Sequence, residues 1–147
     1  MKVRYAKLPD LLKPDQFCWY PLIQVCVRNS NKSILTQALV DSGAVDCIFP
    51  AFVGKTLGIA IKSGEAQTYF GLSGRLSIIF RHTISLKITG LEQWNEVEVG
   101  FSEDNLLPPI LGQNGFFSNY QIIFERYRYQ IEINTQENAR ARQRKGY

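Results

Sequence analysis

One carboxylate at the end of an apolar run is the feature of this chain best placed to do chemistry. Ala38-Leu39-Val40 deliver Asp41, and Ser42-Gly43-Ala44 follow at once, with Val45-Asp46-Cys47-Ile48-Phe49-Pro50 leading into a second apolar stretch. A carboxylate acts as a general acid or base when a scaffold holds it against a reacting group. The residues after Asp41 suit that task, because Gly43 allows a tight turn or a close backbone approach and Ser42 can lock the loop by hydrogen bonding. The same residues also describe a plain turn between strands, so their meaning depends on context. Other chemistries are poorly supplied. His82 is the only histidine, and no Gly-x-Ser-x-Gly elbow accompanies it to make a serine or cysteine hydrolase. His82 and the scattered Cys18, Cys26 and Cys47 lack the spacing of metal ligands, so the sequence predicts neither metal nor cofactor.

The elements that must carry Asp41 read as strands. Residues 20–28 are rich in β-branched side chains and end in the turn cluster Asn29-Ser30-Asn31-Lys32, so 33–40 should run back as the second arm of a hairpin that ends at Asp41. Cys47-Ile48-Phe49 is a short strand closed by Pro50, and 51–57 has room for one or two helical turns before Gly58. Residues 65–70 and 76–80 flank a glycine-bounded tip as a hairpin. Residues 83–88 alternate polar and apolar side chains, as a strand with one buried face does. Further strands are expected at 94–101, 121–124 and 127–133, and a short helix at 113–119. Many short strands and few helices predict an all-β, barrel-like domain.

A length of 147 residues with 45% hydrophobic content suits one core. Residues 1–16 read as an N-terminal arm, 17–134 as the domain and 135–147 as a basic tail expected to be disordered. The net charge of +4 is supplied by the last eight residues of that tail. Without Arg140, Arg142, Arg144 and Lys145 the chain balances 13 basic against 13 acidic residues, which argues against nucleic acid as its main partner. No signal segment and no apolar run of membrane-spanning length is visible, so the expected location is the cytoplasm, with no membrane partner. Three cysteines without a Cys-x-x-Cys pair read as reduced core residues.

Taken together, Asp41-Ser42-Gly43-Ala44, Tyr69-Phe70-Gly71-Leu72-Ser73-Gly74-Arg75 and Pro108-Pro109-Ile110-Leu111-Gly112-Gln113-Asn114-Gly115 resemble the retropepsin type of aspartic protease, in particular its small single-copy bacterial form. The resemblance implies a retropepsin-like closed barrel with a flap hairpin, and an aspartic endopeptidase acting on peptides or proteins. Asp41 would be catalytic, with Ser42, Gly43 and Ala44 forming its loop. Gly71, Leu72, Ser73 and Gly74 would be the tip of a flap over the substrate, and Ile110, Leu111 and Gly112 would pack beneath the loop. Asp46, grouped with the substrate-binding positions, would either contact substrate backbone or cap the turn. Such enzymes need two carboxylates sharing one proton. This chain has one Asp-Ser-Gly and no internal repeat, so a homodimer is implied, each chain giving one Asp41. Two positions depart from the retroviral pattern: Val45 stands where an acidic residue is usual, and Gln113 where an arginine is. A non-catalytic peptide-binding module on the same fold is the competing expectation.

Overall fold

The computed structural model describes residues 1–10, 12–13, 15–70, 76–103 and 108–144. In chain order it forms β1 (Lys2–Arg4), β2 (Ala6–Pro9), β3 (Phe17–Tyr20), β4 (Leu22–Asn29), β5 (Lys32–Val40), β6 (Cys47–Pro50), α1 (Ala51–Thr56), β7 (Glu65–Phe70), β8 (Leu76–Ile88), β9 (Asn95–Ser102), β10 (Ile110–Leu111), β11 (Tyr120–Glu125), β12 (Gln130–Thr135) and α2 (Gln136–Arg144). Single 3-10 turns occupy Ile61–Ser63 and Arg126–Arg128.

Six strands close a barrel in the order β4-β5-β10-β6-β9-β8. The circuit returns from β8 to β4 through the pairs Val25↔Ile88 to Arg28↔Ser85, and β7 lies outside it, paired among the described residues with β8 alone. Alternation sets which face is inward, since a slip of one residue would reverse every side chain. Val25 and Val27 of β4, Ile84, Leu86 and Ile88 of β8, and Val97, Val99 and Phe101 of β9 all point into the core. β6 is buried along its whole length because β10 and β9 flank it and α1 follows immediately. Phe49, Phe101 and Phe116 are the largest fully buried side chains, each contributing about 1.5–3 kcal/mol through burial.

β5 changes character along its length. Leu35 near its start is exposed, whereas Ala38 and Val40 at its end are buried. The strand therefore enters the core just before Asp41, which fixes where the carboxylate emerges.

Four elements differ from the sequence expectation. β8 is one strand of 13 residues: Arg81 and His82 stay in register, opposite Gly100 and Val99. Residues 113–119 form successive turns instead of a helix. Gly115 at φ +90° breaks any helical path there, and Asn114 is drawn into a parallel bridge with Asp46. Where a disordered tail was expected, residues 136–144 form α2, whose first turn carries Glu137, a favourable charge at a helix N-terminus. The expected arm contains two strands: β1 adds to β12 in a sheet ordered β1-β12-β11, and β2 pairs with β3.

Candidate active site

β5 ends at Val40, whose N–H donates to the Pro21 carbonyl at 2.9 Å, and Leu39 N–H donates to Pro109 O at 2.8 Å. β10 runs parallel to β5, with Ile110 beside Leu39 and Leu111 beside Val40. Asp41 therefore leaves a strand held on both sides. Its own N–H donates to Leu111 O at 3.1 Å, and the chain turns at once, Ala44 N–H reaching back to Asp41 O at 3.3 Å. Within that turn Gly43 N–H donates to Asp41 Oδ1 at 2.9 Å, an Asx turn that fixes the carboxylate's rotamer. Asp41 is half-buried, Ser42 and Gly43 are exposed, and Ala44 is buried.

The loop's outward carbonyls are taken up by the segment after β10. Gln113 N–H donates to Ala44 O at 2.9 Å and Asn114 N–H to Val45 O at 2.8 Å. The Gln113 side chain adds a bond from Nε2 to Ser42 O at 2.7 Å. Gln113 thus braces the Asp41 loop through main-chain carbonyls, with both its backbone N–H and its side chain. Gly112 makes this approach possible: a Cβ there would lie 2.4 Å from Asp46 O and 2.8 Å from Ala44 O.

Asp46 is 8% exposed. Its Oδ1 accepts from Asn114 Nδ2 at 2.9 Å, and its Oδ2 pairs with the Arg81 guanidinium at 3.0 Å. A buried carboxylate requires this pairing. Both partners are side chains, so these contacts are neither a backbone cap on the turn nor a contact with substrate. Arg81 also reaches Glu98 on β9 and Gln67 on β7.

Cys47 lies under the same loop, fully buried. Its thiol donates to Asn114 O at 3.1 Å and accepts from Gly112 N–H at 3.3 Å. Burial pushes the thiol up to about 11, and the nearby Asp46 charge acts in the same direction, against the lowering effect of the Gly112 N–H. Since the thiolate is the reactive form, iodoacetamide at about pH 8 is expected to spare Cys47 in the native protein while labelling the half-buried Cys18 and Cys26. Peptide mapping checks this, and equal labelling of all three would contradict the packing beneath the loop.

His82 has a structural occupation. Its Nε2–H donates to Ile61 O at 2.8 Å and its ring lies 5.8 Å from that of Phe101. Among the described residues no cluster of His, Cys, Asp and Glu is arranged to hold a metal, and no helix is long and apolar enough to cross a membrane. A concavity of about 660 Å³ beside α2, lined by Glu92, Gln93, Asn119, Gln136, Glu137 and Arg140, includes none of the Asp41 loop.

The structure thus brings together Asp41, Ser42, Gly43, Ala44 and Asp46 with Ile110, Leu111 and Gly112. Gly71, Leu72, Ser73 and Gly74 lie outside the described residues, between β7 and β8. Sequence reasoning missed Arg81, Asn114 and the bracing role of Gln113. Arg81 read as part of a break between two strands, and nothing marked Asn114.

No protein-family model and no curated protein sequence matches the chain. Its fold is nonetheless similar to solved structures. A retropepsin-like aspartic protease from Rickettsia conorii superposes with a TM-score of 0.59 at 14% identity, covering 89% of this chain and 97% of that one. The retroviral protease-like domain of Ddi1 from Leishmania major superposes with a TM-score of 0.52 at 17% identity, covering 77% and 88%. The chain has the retropepsin-like fold.

Proposed function

We propose that the protein is an aspartic endopeptidase whose active site is shared by two copies of the chain. The observation that carries this reading is Asp41 itself: a half-buried carboxylate at the end of β5, its rotamer fixed by Gly43 N–H and its loop braced by β10 and residues 112–114. Within the fold this chain has, that arrangement supplies one carboxylate of a pair. The second comes from the partner copy's Asp41 across a twofold axis.

Two carboxylates brought together cannot both ionise, so the pair holds one proton. The protonated member donates a hydrogen bond to the scissile carbonyl, while the ionised member takes a proton from a water that attacks the carbonyl carbon. The proton then passes to the leaving amine, and the pair titrates as a unit. A substrate peptide would lie extended between the two Asp41 loops and the β7–β8 hairpin. Exposed apolar side chains support burial by a second chain: Val45, in the Asp41 loop, is 63% exposed, and Ile123 and Phe124 lie exposed on β11.

Sedimentation at tens of micromolar protein, with and without a peptide-like inhibitor, tests the assembly. A dimer that the inhibitor strengthens is expected. A monomer under both conditions would sink the shared site and the peptidase reading with it.

A further inference from the structure

Arg81 stands at the meeting point of three elements. From β8 it reaches Gln67 on β7, Glu98 on β9, and Asp46 at the end of the Asp41 loop. The three contacts are unequal. Glu98 is 56% exposed at its side chain, so its pairing with Arg81 is screened by water and contributes little. The Arg81 and Asp46 side chains are only 20% and 11% exposed, and removing one of them would strand the other charge away from water. Asp46 passes the constraint on: its Oδ1 holds Asn114, whose N–H holds Val45 O, while the neighbouring Gln113 N–H holds Ala44 O. An unbroken chain of hydrogen bonds therefore runs from β8 to the loop that fixes Asp41. Val45 and Gln113 carry no charge, so within residues 41–46 and 112–114 no cation meets Asp46. The cation comes instead from β8, the strand paired with β7.

We infer that Arg81 is a positioning residue for Asp41, fastening the catalytic loop to the base of the β7–β8 hairpin so that loop and hairpin share one frame. This rests on the peptidase reading of Asp41. Its guanidinium is suited to the task because it is planar, always charged and able to bond several partners at fixed angles, which lysine cannot do. A loop displaced by a fraction of an ångström still binds peptide but misaligns the carboxylate pair, and misplacement on that scale lowers rate steeply.

The test compares wild type with Arg81→Met and Arg81→Lys in three measurements: kcat and KM on a cleavable peptide, sedimentation, and amide exchange at Ala44, Gln113 and Asn114. The expected result for Arg81→Met is a kcat lowered about 10–100-fold, with KM and dimerisation little changed and faster exchange at all three amides. Arg81→Lys, keeping charge without the fork, should fall between the two. If Arg81→Met does not fold, Arg81→Lys carries the same comparison. Activity lost only in proportion to lost dimer, or a change confined to KM, would overturn the assignment. Unchanged exchange at the three amides would overturn it whether or not wild type cleaves peptide. Absence of cleavage by a dimeric wild type, with exchange responding as expected, would instead remove the peptidase reading and leave the fastening intact.

Discussion

Asp41→Asn should fold, dimerise and cleave peptides about 10²–10⁴-fold more slowly than wild type, the range lost when a positioned acid–base group is removed. The contrast between retained fold and lost turnover follows from the local geometry. Asp41 Oδ1 accepts from Gly43 N–H at 2.9 Å, and an asparagine carbonyl can accept the same bond. The main-chain bonds from Asp41 N to Leu111 O and from Ala44 N to Asp41 O do not involve the side chain at all. A stability change within about 0.5 kcal/mol is therefore expected. In the proposed mechanism an amide can neither hold the shared proton nor take one from water, so turnover falls. Thermal unfolding and turnover on an unbiased peptide library read the two halves of the prediction. A mutant that cleaves at wild-type rate would remove Asp41 from the mechanism.

Gly112→Ala should be the most damaging single-methyl addition near the site. The new Cβ would meet backbone, at 2.4 Å from Asp46 O, 2.7 Å from Asp46 C and 2.8 Å from Ala44 O, and backbone held by β10 and the loop has no rotamer through which to yield. Overpacking of this kind costs about 1–3 kcal/mol. For a chain of this size that lowers the unfolding temperature by roughly 2–4 °C per kcal/mol. Relief requires parting residues 112–114 from the Asp41 loop, so activity should fall by more than the loss of folded protein explains. A fully stable, fully active Gly112→Ala would mean that the two segments do not approach as closely as described.

The barrel and the loop were legible because they depend on signals that sequence carries well. Period-two alternation in β8 and β9 gave their inward faces, the apolar run before Asp41 gave the end of β5, and Pro50 and Gly58 bracketed α1. Gly112 was placed beneath the loop only by the resemblance, and its physical reason, a Cβ that would meet Asp46 O and Ala44 O, is visible only in the structure. The contacts that brace the loop were not legible either. Arg81 is separated from Asp46 by 35 positions, and the polar pair Arg81-His82 looked like a break between strands when it is the middle of one. Asn114 has no periodicity to mark it; its partner is set by a parallel bridge to Asp46 that only tertiary structure creates. α2 was hidden for a different reason: a short, strongly polar segment gives no apolar stripe, so its docking beside β11 and β12 could not be read from pattern.

The proposal that two chains share one active site is tested most directly by mixing. Wild type and Asp41→Asn are unfolded together, refolded at fixed total concentration over a series of ratios, and assayed for peptide cleavage. With each site built from two chains, only dimers of two wild-type chains retain both carboxylates. Activity should then follow the square of the wild-type fraction, about a quarter remaining at an equal mixture. Activity that falls in direct proportion to the wild-type fraction, with half remaining at an equal mixture, would mean that Asp41 works with a partner inside its own chain, and the account of a site shared across a twofold axis would be wrong.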